Sequence, residues 1–175
     1  NFMYPKHIVK KLSVTRSTLY NYQNGESLFF ANGKNQSNVF TFVFSSNTVY
    51  RWAKSNDRAF CKTESKYSPE SVYTFTDNIV YKGGADNVTP QMIQATGGSL
   101  TAKNNLVVDY GDYNFSGTKD IADLTLSGLG MTELSFPNPS AGDFTIVSTS
   151  PLATASTTGG IIGDPRWLKT VTQAI

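Results

Sequence analysis

The chain, 175 residues and 19.1 kDa, is the size of one ordinary globular domain, and its formal charge of +2 gives no electrostatic case for nucleic acid, which needs a strongly basic face. Thr, Ser and Asn together supply 52 residues against 16% charged ones, a β-rich balance that disfavours a helical bundle, while 11 Phe, 9 Tyr and 2 Trp exclude wholesale disorder. The single Cys61 excludes an intrachain disulfide or a Cys-rich zinc site, and the single His7 leaves no set for a His-based triad or metal cluster.

In chain order, Asn1 to Pro5 form no charged-then-apolar leader, so a signal or lipid-anchor segment, or whole preceding domains, are expected upstream. No apolar run approaches the roughly 20 residues of a membrane span, so no membrane insertion by this segment is expected. The first recognisable element, Leu12-Ser13-Val14-Thr15, alternates apolar and polar residues and leads into Ser17-Thr18-Leu19-Tyr20. The phrase returns as Phe42 to Ser45 before Asn47-Thr48-Val49-Tyr50, as Tyr73 to Thr76 before Asn78-Ile79-Val80-Tyr81, and as Leu100 to Lys103 before Asn105-Leu106-Val107-Val108. The anchors are 30, 31 and 27 residues apart, and Val43 alone breaks the alternation. Period-two alternation is the mark of a half-buried strand. A second apolar stretch follows each of the first three anchors, at Leu28-Phe29-Phe30-Ala31, Ala59-Phe60-Cys61 and Met92-Ile93, and each leads into a turn.

Like residues at like positions every thirty residues or so suit a parallel stack of rungs better than a meander. The sequence therefore predicts an all-β fold, a right-handed parallel β-helix of about four rungs. In such a stack Asn47, Asn78 and Asn105, with Ser17 at the end, form a ladder of bend residues bonded to the backbone and to one another. Tyr20, Tyr50 and Tyr81 form an aromatic stack that serves either as packing or as a ligand platform. Past Asn105 the regularity fades into a Gly- and Pro-rich stretch. Residues 1–139 are read as rungs and residues 140–175 as a C-terminal cap over the last strand edge, which would otherwise stand open.

The phrases Ser17-Thr18-Leu19-Tyr20-Asn21-Tyr22, Asn78-Ile79-Val80-Tyr81, Ala95 to Thr101, Gly142-Asp143-Phe144-Thr145-Ile146 and above all Gly163-Asp164-Pro165-Arg166-Trp167 carry a family likeness. Over roughly residues 8 to 167 the chain resembles the C-terminal β-helix domain of large secreted or surface lipoproteins of gut Bacteroidetes, a domain-of-unknown-function family with a pectate-lyase-like fold. The resemblance implies a pectin-lyase-like solenoid at the cell envelope, among polysaccharide-utilisation proteins and behind upstream domains of the same chain. It implies no catalytic residues.

The chemistry legible in the residues is sparse. The second repeat clusters Arg51, Lys54, Arg58, Lys62 and Lys66 with Trp52 and Tyr67, opposed only by Asp57 and Glu64. Cations pair carboxylates and rings stack on sugar faces, so this turn suits an acidic polysaccharide, with Arg51, Trp52, Lys54, Arg58 and Tyr67 as contacts. A polysaccharide lyase acting on uronic-acid chains needs a base, for which Arg58 and Lys62 are the candidates. A glycoside hydrolase needs two carboxylates across a groove, and no rung supplies them at matched positions.

No cofactor or metal is expected, although in residues 112–123 Asp112, Asn114, Asp120 and Asp123 fall at oxygen-ligand positions of an EF-hand-like spacing. Lys119 and the absence of flanking helices weaken that match, so an ordinary polar turn is the reading and a Ca²⁺ loop the alternative. The expected function is an envelope-associated module that binds or presents polysaccharide, with a lyase and a structural spacer as rivals.

Overall fold

The computed structural model describes residues 9–21, 27–31, 38–52, 59–63, 69–83, 91–111 and 113–171, and among these the chain is all-β with parallel sheets. Each of the first three repeats contributes three strands, one more than the minimum the sequence requires. The first supplies β1 (Lys11–Thr15), β2 (Thr18–Tyr20) and β3 (Phe29–Ala31). The second supplies β4 (Thr41–Ser45), β5 (Thr48–Tyr50) and β6 (Ala59–Thr63), and the third β7 (Val72–Thr76), β8 (Ile79–Tyr81) and β9 (Gln91–Ala95). In the fourth, one long strand β10 (Ser99–Val108) does the work of two, followed by the short β11 (Asn114–Phe115).

Every strand pairs in parallel with its counterpart in the neighbouring repeat. One row runs β1-β4-β7-β10, a second β2-β5-β8-β10, and a third β3-β6-β9-β11. The register matches the sequence alignment: Leu12 faces Phe42, Phe42 faces Tyr73 and Tyr73 faces Leu100. Inward positions therefore stack on inward positions. Phe42, Phe44, Tyr73, Phe75 and Ala102 are all fully buried, and from the third row Phe29, Cys61 and Ile93 close the same core.

The corners use left-handed backbone at non-glycine residues. Arg16, Ser46, Asp77 and Asn104 have φ of 49°, 55°, 58° and 51°, each directly before a ladder position. Such a conformation costs roughly 1–2 kcal/mol for an L-residue. Pairing between repeats offsets it at the first three corners, whose N–H groups donate to a carbonyl of the next repeat, Arg16 to Ser45, Ser46 to Thr76 and Asp77 to Lys103.

Beside these corners runs the predicted line of amides. Asn78 Oδ1 accepts from the Asn47 N–H at 3.0 Å and from Asn47 Nδ2 at 3.1 Å, and Asn105 Oδ1 does the same for Asn78 at 3.1 and 2.7 Å. Each Nδ2 also donates to a strand carbonyl of the preceding repeat, Asn47 to Val14, Asn78 to Phe44 and Asn105 to Phe75. The line begins at Ser17, whose backbone N–H donates to Asn47 Oδ1, and ends at Asp123, whose Oδ1 accepts from the N–H and Nδ2 of Asn105 at 3.2 and 2.7 Å. In the links from one ladder residue to the next, the donors all point toward later repeats. A terminal Asn would leave an amide donor without an acceptor, and a carboxylate has none to leave.

Asp123 belongs to a fifth, partial repeat that the sequence conceals. Strand β12 (Thr118–Leu124) pairs in parallel with β10 from Ser99↔Thr118 to Leu106↔Leu124. Its core-side positions are Lys119 and Ile121 opposite Leu100 and Ala102, so the apolar alternation is lost. The interval from Asn105 to Asp123 also shrinks to 18 residues.

The C-terminal segment differs in place from the expected cap. Residues 125–169 run back along the outer side of β2, β5, β8 and the second half of β10. A second apolar cluster forms there, with Ile79 and Leu106 of the strands against Leu134, Ile146, Leu152 and Ile162 of the segment. The physical reason lies in the strands themselves: Thr48, Val49 and Tyr50 are all buried, so both faces of this row must be covered. The segment carries four one-turn 3₁₀ helices and a two-stranded pair, β13 (Ile146–Val147) with β14 (Leu168–Lys169).

The ladder sets one expectation. Asn78→Ala removes the acceptor for two Asn47 donors and the donor to Phe44 O, all buried, and is expected to destabilise the fold by about 1–3 kcal/mol. Denaturant unfolding measures this directly, and an unchanged midpoint would show that the amide line contributes nothing.

Candidate functional site

Of the residues expected to bind an acidic chain, Arg51 and Trp52 are described, and they do not share a surface. Arg51 occupies a left-handed corner (φ 53°), donates its N–H to Tyr81 O at 3.1 Å and lays its guanidinium 5.1 Å from the Tyr50 ring centre. Trp52, the next residue, is only 3% exposed and packs 6.0 Å from Phe60 in the core. Its backbone is clasped by one side chain, the Trp52 N–H donating to Tyr110 Oη at 3.0 Å and the Tyr110 hydroxyl donating to Trp52 O at 2.8 Å. An indole so placed offers no face to a sugar, which corrects the expectation for Trp52. Lys54, Arg58 and Tyr67 lie outside the described residues. Lys62 stands on the outer side of β6 with its ammonium 5.7 Å from the Phe30 ring centre.

In the tyrosine stack the middle ring is packing, while Tyr20 at its end stays 46% exposed. Tyr50 is 4% exposed, its ring lies 5.7 Å from Tyr81, and both are closed over by the C-terminal segment. Phe144 is the hub of that closure, fully buried with its ring centre 5.7 Å from Tyr20, 5.8 Å from Tyr50, 5.2 Å from Phe136 and 5.6 Å from Trp167.

The candidate cation loop is not a loop over its second half, which is strand β12. The oxygens are engaged separately: Asp120 Oδ1 accepts from Lys103 Nζ at 2.6 Å on the outer side, and Asp123 ends the amide ladder and accepts from the Tyr113 hydroxyl. Asn114 is exposed on β11, and Asp112 lies outside the described residues. Extended backbone spreads side chains that a cation loop must converge, which is the reason the spacing misleads. Burial and the Asp123 charge hold the Tyr113 hydroxyl protonated, so it acts as a donor. Burial likewise pushes the Cys61 thiol up and makes it a small core residue. Among the described residues no three His, Cys, Asp or Glu side chains gather to hold a metal, and no helix is long and apolar enough to cross a membrane.

The most distinctive phrase of the sequence, Gly163 to Trp167, is a clasp that ties the C-terminal segment to the first repeats. Asp164 is completely buried. Its carboxylate accepts from Thr18 Oγ1 at 2.7 Å and from Arg166 Nε at 3.0 Å, while its N–H donates to Thr48 Oγ1 at 2.9 Å. Trp167 Nε1 donates to the same Thr18 hydroxyl at 2.6 Å. Burial alone would raise the Asp164 pKa, but the hydrogen bonds from Arg166 and Thr18 and the Arg166 charge outweigh it and hold the carboxyl below its usual range.

Gly163 precedes this group with φ of 80°, and a Cβ there would stand 2.6 Å from Thr48 Oγ1. The corner residues supply the other hooks. Asn21 Nδ2 donates to Ser140 O, Asn104 Nδ2 to Ala155 O, and Asp77 accepts from Thr157 through both N–H and hydroxyl at 2.7 Å.

The outer side of β1-β4-β7-β10-β12 carries none of these hooks. Its residues form three rows in register: Lys11-Thr41-Val72-Ser99-Thr118, Ser13-Val43-Thr74-Thr101-Asp120 and Thr15-Ser45-Thr76-Lys103-Ala122. Adjacent members of a row stand about 4.8 Å apart and adjacent rows about 6.6 Å. Apart from Lys11 at the first strand and the Lys103–Asp120 ion pair, which neutralises itself, the side chains are short hydroxyls and aliphatics. Alternation alone could have located this face, because each row is the polar half of the repeated phrase.

Two expectations follow for the clasp. Its folded carboxyl has a lowered pKa, so the stability it confers is fully present above the unfolded value of about 3.9 and is lost as pH falls through the folded value. The stability gap between wild type and Asp164→Asn should therefore be widest near neutrality and close below about pH 4. Denaturation midpoints across pH read this gap, and a constant one would contradict the assignment. Gly163→Ala should destabilise by about 1–3 kcal/mol and open the C-terminal segment to limited proteolysis, whereas an unaltered cleavage pattern would place the clasp's strength elsewhere.

No curated protein and no solved structure matches the chain significantly. A family model does, over residues 42–167, from the inward Phe42 of the second repeat to the Trp167 of the clasp. The match takes in the amide ladder from Asn47 to Asp123 and the whole C-terminal segment to its latch, and on that ground the chain belongs to the family described as Domain of unknown function (DUF5123).

Proposed function

We propose that the three parallel rows close into a right-handed parallel β-helix of the pectin-lyase-like kind, and that the chain is a non-catalytic module that binds or presents polysaccharide at the bacterial cell envelope. Parallel pairing of every repeat with the next supports the coil, and crossover connections between parallel strands are right-handed in nearly all cases. The Bacteroidetes surface-protein resemblance supports the setting.

The observation that carries the binding reading is the uncovered outer side of β1-β4-β7-β10-β12. Its rows of Ser and Thr offer donors and acceptors at regular intervals, and their methyl groups, with Val43 and Val72, offer apolar contact between them. Such a face suits an extended, uncharged polyhydroxyl chain better than the acidic chain that the basic turn of the second repeat suggests. With Trp52 in the core, that turn keeps Arg51 and Lys62 alone among its described residues.

Affinity electrophoresis through gels of neutral and uronic-acid polysaccharides tests this reading. Wild type should be retarded by one or more neutral chains, and Ser45→Ala, Thr74→Ala and Thr101→Ala together should abolish most of the retardation without lowering stability. Retardation by uronic-acid chains with new near-ultraviolet absorbance would instead identify the rival lyase. No retardation by any chain would leave the spacer.

A further inference from the structure

The stack of repeats ends at β12, and that end is open. β12 pairs with β10 on one edge and, among the described residues, with no strand on the other. Its core-side residue Ile121 is 45% exposed, while the register partner Ala102 is fully buried. A seven-residue strand with a free edge and an uncovered aliphatic side chain is a template for another strand.

We propose that β12 is a two-fold seam that joins two copies of this chain, the strands pairing antiparallel about an axis through Ile121. In that register Lys119 faces Asp123 of the other copy on both sides of the axis, Asp120 faces Ala122, Thr118 faces Leu124, and Ile121 packs on its own counterpart. Period-two alternation places Lys119, Ile121 and Asp123 on one side of the strand, the core side, so a central apolar contact is flanked by two opposite-charge pairs.

Asp123 has capacity for this. Its two oxygens accept three hydrogen bonds, from the Asn105 N–H, Asn105 Nδ2 and the Tyr113 hydroxyl, and a carboxylate has about four acceptor sites. The self-complementary charge pattern favours this closed arrangement over head-to-tail stacking. Continuing the parallel register from β12 onto β1 of another copy would set Lys119 over Leu12, an ammonium against an aliphatic residue with no counter-charge.

Sedimentation equilibrium of the chain over a concentration series, joined to cross-linking, tests the seam. The expected result is a monomer–dimer equilibrium ending at twice 19.1 kDa. Directly opposed residues of antiparallel strands have Cα atoms about 4.5–5.5 Å apart, within disulfide reach, so Ile121→Cys should cross-link as a dimer under mild oxidation. Wild type, whose only thiol is the buried Cys61, should not. Lys119→Asp should weaken the dimer roughly tenfold or more, and Lys119→Arg should keep it. A monomer at every concentration with no cross-linked Ile121→Cys, or an open-ended series of masses from head-to-tail association, would overturn the proposal.

Discussion

The amide ladder from Ser17 to Asp123 is the constraint on which the other features depend. A primary amide carries a donor and an acceptor on one short side chain, so it can accept from one repeat and donate to the next within the same corner. Three such residues in line turn four local corners into one hydrogen-bonded column, buried throughout at Asn47, Asn78 and Asn105. The column is directional, and its ends show it. Ser17 needs only a backbone donor, and Asp123 needs only acceptors.

Register follows from that column, and packing follows from register. With the corners aligned, Phe42, Tyr73 and Leu100 stack on one another inside, and the left-handed residues before each amide are aligned outside. Asp77 and Asn104 from those corners, and Asn21 from the next, become the hooks that hold the C-terminal segment. The same geometry that closes the core thus also fixes the segment, with the Asp164 clasp securing its far end on Thr18 and Thr48.

The outer sides of the first two rows have opposite fates. The side of β2, β5 and β8 presents Thr48, Tyr50 and Ile79 and is covered, whereas the side of β1, β4 and β7 presents hydroxyls and stays open. Covering the first removes Tyr50 from any ligand-binding role and leaves Tyr20 as the exposed member of the stack. The open row presents an accessible surface with a regular chemistry, and it carries the functional proposal.

Much of the strand architecture was legible in the chain. The alternation in Leu12 to Thr15 and its three recurrences specify strands, their inward residues and their partners, because parallel stacking places like residues on like residues. Trp52 was illegible, since a ring beside Arg51 and Lys54 reads equally as a platform or as a core residue, and only the clasp from Tyr110, 58 residues away, decides it. Asp123 was illegible for the same reason, since its spacing fits a polar turn or a cation loop as readily as the terminus of a ladder.

The sequence by itself determined the all-β class, the parallel register and the line of amides, all of which rest on local periodicity. The tertiary structure alone decided which outer row is covered, where the ladder stops and which end stands open. Those outcomes depend on where residues 113 to 169 lie against strands as much as 149 positions earlier, from Trp167 to Thr18, and no local pattern records that path.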